Sequence, residues 1–280
     1  PAHAGKLAIE AVDRVMRGEG APSPIYEGED SVIARILDGK KAKYSIPLPK
    51  KNEEKKAILE TYTKEYSAEY QAQALIDIAK KLNKKISNLN NIKKIDIYTS
   101  HHTHHVIGTG ANDPQKIDPK ASRETLDHSI MYIFAVALED ADWHHVKSYT
   151  KARANRKSTI KIWHSIRTHE DEKWTKKYHD PNPKKKSFGA KVIVTMKNGK
   201  KISEQLERAD AHPYGSRPFK RYDYIKKFKT LTDKIISRKE SLRFINIVQK
   251  LKKLKKGQLN ELNIEVSKKY LKHNNKKGIF

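Results

Sequence analysis

Gly189-Ala190-Lys191-Val192-Ile193-Val194-Thr195-Met196-Lys197-Asn198-Gly199-Lys200-Lys201-Ile202 is the stretch on which the fold turns. Ala190, Val192, Val194 and Met196 occupy alternate positions, so an extended chain puts all four on one face. Asn198-Gly199 follows at once. A tight hairpin needs positive φ at both central residues, and Asn and Gly accept it most easily. Ile202 and Leu206 then continue a return strand. Outward from this hairpin the apolar spacing changes to that of helices. Tyr70, Ala74, Leu75, Ile78, Ala79 and Leu82 form one amphipathic face upstream. Downstream, Tyr224, Phe228, Leu231 and Ile235 form one stripe, and Leu242, Ile245, Val248 and Leu251 another.

Three regions result. Residues 1–60 read as the end of a helical part: Ala8, Val12, Val15 and Met16 at helical spacing, a stop at Gly18-Glu19-Gly20, and a short helix after Asp30-Ser31. Ala21-Pro22-Ser23-Pro24 is a loop, and Pro49 to Glu54 is a charged connection opened by a proline. Residues 61–215 mix helix and strand. Within them, Ile92, Ile95 and Ile97 lead into a strand predicted to end at His101-His102-Thr103-His104-His105. A loop from Gly108 to Asp118 follows. Asp118-Pro119 is expected to open a helix running to about Glu139, since an N-cap acid before proline suits a first turn. Residues 216–280 return to helix. The order helix, mixed, helix predicts an α+β fold, with an α+β domain inserted into an all-helical one.

Charge and composition narrow the function. Hydrophobic residues make up 36% and charged residues 33%, polar but sufficient for a core. No run has the apolar length of a membrane span, no secretory pattern opens the chain, and cysteine is absent. A cytoplasmic protein without membrane partners fits these features. The net charge of +26 raises the question of nucleic acid. The excess is mostly lysine rather than arginine, spread along the chain as in Lys50-Lys51, Lys184-Lys185-Lys186 and Lys252-Lys253, and no nucleic-acid fingerprint accompanies it. A solvated lysine-rich surface is the plainer reading. A positive field would also steer a small polyanion.

The residues that could carry chemistry are few. On a strand, His102 and His104 would point the same way and could hold a metal, but no HExxH or third ligand stands nearby, so no metal is expected. His128 and Tyr132, four apart on the expected helix, would share a face, with Thr125 and Ser129 close by. They could supply a proton and a hydrogen bond to a carboxylate; two satisfied, buried polar groups are the competing reading. Lys64, at the entrance of the middle region, could clamp a carboxylate or belong to a solvated helix face. Gly108-Thr109-Gly110 is too short a pattern to be a phosphate cradle. No GxSxG elbow supports serine catalysis.

Five stretches together match something known: Thr63-Lys64-Glu65-Tyr66-Ser67-Ala68-Glu69-Tyr70-Gln71-Ala72-Gln73, Ser100-His101-His102-Thr103-His104, Asp113-Pro114-Gln115-Lys116, Ser122-Arg123-Glu124-Thr125-Leu126-Asp127-His128-Ser129-Ile130-Met131-Tyr132 and Ala209-Asp210-Ala211-His212-Pro213-Tyr214-Gly215. The chain resembles the MmgE/PrpD family, in the branch of the 2-methylcitrate dehydratases. That resemblance implies a large helical domain built from both ends of the sequence and an inserted α+β lid, with this chain supplying the C-terminal part. It implies dehydration of a citrate-like hydroxy tricarboxylate in propionate breakdown, without a cofactor or iron–sulfur cluster, in a homodimer. By the same resemblance Lys64 neutralises a carboxylate, and Tyr132 donates to a carboxylate or to the leaving hydroxyl. His128 orients Tyr132 or shuttles a proton, while His101 and Arg123 contact substrate. The principal base would come from a helical part preceding Pro1. The alternatives are an inactive fragment that needs an upstream polypeptide and, on charge alone, a nucleic-acid binder.

Overall fold

The computed structural model describes residues 2–45, 48–54 and 61–270. Pro1 and the last residues before the expected boundary at 60 lie outside them. Two compact units separate at that point, residues 1–60 and 61–280. The first contains helix α1 (Ala2–Met16), which is followed by Gly18 at φ +96°, and the one-turn helix α2 (Val32–Ile36), whose N-cap Ser31 accepts from the Ala34 amide. On α1, Leu7, Ile9, Val12, Val15 and Met16 are all at least half exposed.

The second unit is α+β. Its sheet has the order β2-β1-β3-β4, formed by β1 (Ile92–Thr99), β2 (Ile166–Glu170), β3 (Ala190–Met196) and β4 (Lys201–Leu206). β3 and β4 form the expected hairpin, pairing Val194 with Ile202 and Ala190 with Leu206, and Gly199 takes φ +85° in the turn. β1 runs antiparallel to β3 and parallel to β2. On one face, Ile95, Ile97, Val192 and Val194 are fully buried. They share a core with helix α3 (Gln73–Asn83) and the apolar helix α6 (Ile130–Asp140), whose residues from Ile130 to Leu138 are all buried. The other face carries Lys94, Asp96, Lys191 and His169, as suits a mixed sheet with one polar side.

Two expectations are corrected. His101–Ile107 is not a strand end but a helix, α4: the Ser100 hydroxyl caps it by accepting from the Thr103 amide (3.2 Å). Its imidazoles therefore follow helical spacing, and His101 pairs with His105 rather than His102 with His104. The helix expected from Asp118 to Glu139 is broken. After a 3-10 turn (Pro114–Ile117) come α5 (Arg123–Asp127), capped by Ser122, and α6, capped by Ser129. The Ser129 hydroxyl also donates to the Lys116 carbonyl (2.6 Å), and the Lys116 ammonium donates to the His128 carbonyl (3.0 Å). These bonds hold the corner between the two helices.

Between α6 and β2 lie α7 (Lys151–Ala154) and α8 (Lys157–His164), and α9 (Glu172–Tyr178) follows β2. Arg153 on α7, almost wholly buried, pairs with Glu139 (2.8 Å) and Asp140 (3.0 Å) at the end of α6. Helices α10 (Arg221–Thr232) and α11 (Arg238–Gln249) close the chain, joined by stacked Phe228 and Phe244 (5.3 Å). Ile235 and Leu251, assigned to their stripes from spacing, fall just beyond the helix ends. Among the described residues no helix is long and apolar enough to cross a membrane.

Candidate functional site

Residues 64–68, between the end of the first unit and α3, are pinned from below by aromatic donors. The Ser67 carbonyl accepts from the Trp143 indole (3.2 Å) and lies 2.9 Å from the Tyr149 hydroxyl, whose one proton is shared between it and Asp127; the two rings meet edge to face at 5.1 Å. The Tyr66 hydroxyl donates to the buried Asp77 (2.6 Å). Burial raises both pKa values, and the raised phenol keeps Tyr66 as the donor. The segment is a rigid ledge, as a binding surface requires.

Over this ledge lies a cleft of about 340 Å³, lined by Lys64, Tyr66, Ser67, Arg123, Asp127, Lys227 and Leu231 among others. That volume is within the range of small-molecule sites. It continues into a second concavity of about 610 Å³, which shares Tyr66, Ser67, Lys227 and Leu231 and adds Trp143, His144, His145 and Arg217. One wall is α10; the other is α5 with the loop after α6.

Cations dominate the near end. Lys227 donates to the Lys64 carbonyl, and its pKa is lowered, first by burial and then by the Lys64 charge. Among the described residues neither lysine belongs to an ion pair: Glu65, the nearest acid to Lys227, is held by Arg217 at 2.6 Å. The Arg123 guanidinium lies 4.9 Å from the Tyr149 ring centroid and donates to the His145 carbonyl (3.2 Å), which fixes its position at the mouth. Two carboxylates, Glu124 and Asp127, line the same cavity, and Asp127 accepts from the Tyr149 hydroxyl. Three cations against two acids leave the lining net positive, which suits an anionic ligand.

His144 has a settled tautomer: its Nδ1 accepts from the amides of Val146 (3.0 Å) and Lys147 (3.1 Å), so it lacks a proton there. His145 stacks on it at 4.5 Å, and its pKa is lowered by burial, then by His144 and Arg123. An imidazole whose charged form is disfavoured thus stands in the cleft, and spacing had not singled it out. The only signal in the chain was the run Trp143-His144-His145. Lys227 was also missed, because it lies in a lysine-rich helix with nothing local to distinguish it.

The structure distributes the expected site residues as follows. Lys64 and Arg123 share the cleft. His128 caps α5, its Nδ1–H donating to the Glu124 carbonyl (3.0 Å), and it lines neither concavity. Tyr132 lies in the core rather than on the cleft. It is wholly buried, packs edge to face on Trp163 at 5.0 Å, and donates to the Ser148 carbonyl (2.5 Å). The break at His128–Ser129 removes the shared face with His128, so the Tyr132 hydroxyl offers nothing to a bound molecule. His101 does not line the cleft; it sits on α4 beside His105 and Glu170. The Gly108–Gly110 loop is structural, its Thr109 amide donating to Thr168 Oγ1 (2.9 Å).

Residues 66–253 match the MmgE/PrpD C-terminal domain.

Proposed function

Because the chain belongs to the MmgE/PrpD family, which includes hydro-lyases that act as dehydratases, we propose that it takes part in dehydrating 2-methylcitrate or a related hydroxy tricarboxylate in the methylcitrate cycle of propionate catabolism. The observation that carries this reading is the meeting of Lys64, Lys227 and Arg123 around one small cavity with no ion pair on either lysine among the described residues. Three cations against the Glu124 and Asp127 carboxylates leave the lining net positive, which favours an anionic substrate.

In such a reaction a proton leaves the carbon next to a carboxylate, the electron pair forms the new double bond, and hydroxide departs with a proton as water. Negative charge builds on the carboxylate during the first step, and fixed cations stabilise it without reorganising. Lys64 and Lys227 would each neutralise a carboxylate, and Arg123 would engage one through its planar fork. His145, which lines the second concavity, would accept or return protons. The principal base would come from the family's helical domain on the open side of the cleft. A cytoplasmic homodimer completes the proposal.

The test is an assay for the unsaturated product from 2-methylcitrate and citrate, with the chain alone and supplemented with a family helical domain. Titrations are followed by Trp143 fluorescence. Product formation that is lost in Lys64→Ala/Lys227→Ala supports the reading. No product and no tricarboxylate binding under either condition would overturn it.

A further inference from the structure

Away from the cleft, where the parallel strands β1 and β2 end, His101 and His105 project from α4 at i and i+4 toward Glu170, the last residue of β2. One nitrogen from each imidazole and one Glu170 oxygen lie within 4.8 Å of one another. His101 Nδ1 is 2.8 Å and His105 Nε2 3.5 Å from the same oxygen, Oε2, and the two rings are 4.3 Å apart. Three ligands around a tetrahedral zinc ion at about 2.0–2.1 Å have similar mutual separations.

The surroundings already orient the group. His105 Nδ1 lies 3.3 Å from the Gly110 carbonyl, a contact that turns the ring so that Nε2 faces Glu170. The His101 main-chain amide donates to Thr175 Oγ1 (2.8 Å) and fixes the start of α4. All three side chains are exposed, so a metal can enter and water can take the fourth position.

We propose that His101, His105 and Glu170 form a binding site for a borderline divalent transition ion, zinc above all, which ties α4 to the end of β2. The ion displaces the proton shared between His101 and Glu170. Two imidazoles and one carboxylate favour zinc, nickel or cobalt over the oxygen-seeking magnesium and calcium.

Isothermal titration of the metal-free protein with zinc chloride tests this, with a thermal melt as second readout. One zinc per chain and a higher melting temperature are expected. His105→Ala and Glu170→Gln should each weaken binding at least tenfold while keeping the metal-free melting temperature, since both residues are exposed. His144→Ala/His145→Ala serves as the control, a stacked imidazole pair in the cleft, and should bind as wild type. Equal zinc affinity in wild type and His105→Ala/Glu170→Gln would overturn the proposal, as would loss of binding only in the His144/His145 variant. Magnesium matching zinc would also overturn it.

Discussion

Lys227 reaches from α10 to donate a hydrogen bond to the main-chain carbonyl of Lys64, which brings two ammonium groups into one cleft with no ion pair on either among the described residues. Like charges held this way repel, and a bound polyanion relieves the repulsion. A charge-assisted hydrogen bond contributes about 1.5–3 kcal/mol. Lys64→Ala and Lys227→Ala are therefore each expected to weaken 2-methylcitrate or citrate binding by about tenfold or more, with a steeper loss in wild type as salt is raised. Calorimetric titration at two ionic strengths measures both effects. Wild-type affinity in both variants would show that the cations are merely solvated.

Tyr132→Phe should leave tricarboxylate binding unchanged and lower stability. The substitution removes the donor to the Ser148 carbonyl inside the core, at a cost of about 1–3 kcal/mol for the acceptor left unpaired. Urea unfolding of wild type and variant, with binding measured alongside, separates this from a catalytic role. A variant of full stability that no longer binds would reverse the assignment.

His145 gives the cleft a proton signature. Burial, His144 and Arg123 hold its pKa below the ordinary 6.5, which disfavours the charged imidazole in the free protein. An anion seated beside it favours the charged form and raises its pKa. Binding at about pH 6 should therefore take up protons, seen as a binding enthalpy that varies with the ionisation heat of the buffer. The uptake should shrink in His145→Gln. If wild type and variant give the same buffer dependence, His145 is not facing the ligand.

Glu240 makes the C-terminal segment acid-sensitive. It accepts both arms of the Arg243 fork at 2.7 Å and the Glu265 amide at 2.9 Å, and these, Arg243 first, lower its pKa from 4.5 to about 2. A depressed carboxyl stabilises the fold fully above its unfolded value and loses that contribution as pH falls through the folded value. The stability gap between wild type and Glu240→Gln should be full at pH 6 and close between pH 4.5 and about 2. Denaturant unfolding across that range checks it; a gap unchanged at pH 2 would contradict it.

Much of this architecture could be read from local patterns. Ala190–Met196 with Asn198-Gly199 announces the hairpin, because a strand's two faces and a turn's positive φ are properties of neighbouring residues. The face of α3 and the stripes of α10 and α11 follow for the same reason. The helix at His101–Ile107 was misread as strand, although Ser100 and Thr103 carry a capping signal. β2 went unread because Ile166-Arg167-Thr168-His169-Glu170 is short and polar and becomes a strand by pairing with β1.

By itself the sequence determined an α+β chain, its amphipathic faces, its positive charge and its likeness to one family, since each depends on residue types at fixed short spacing. Only the tertiary structure decided that Tyr132 belongs to the core, that Lys227 meets Lys64 across 163 residues of chain, and that Glu170 joins His101 and His105. Electrostatic and hydrogen-bond energies depend on separations in ångströms. Those separations come from packing helices against the sheet, which no local pattern in the chain encodes.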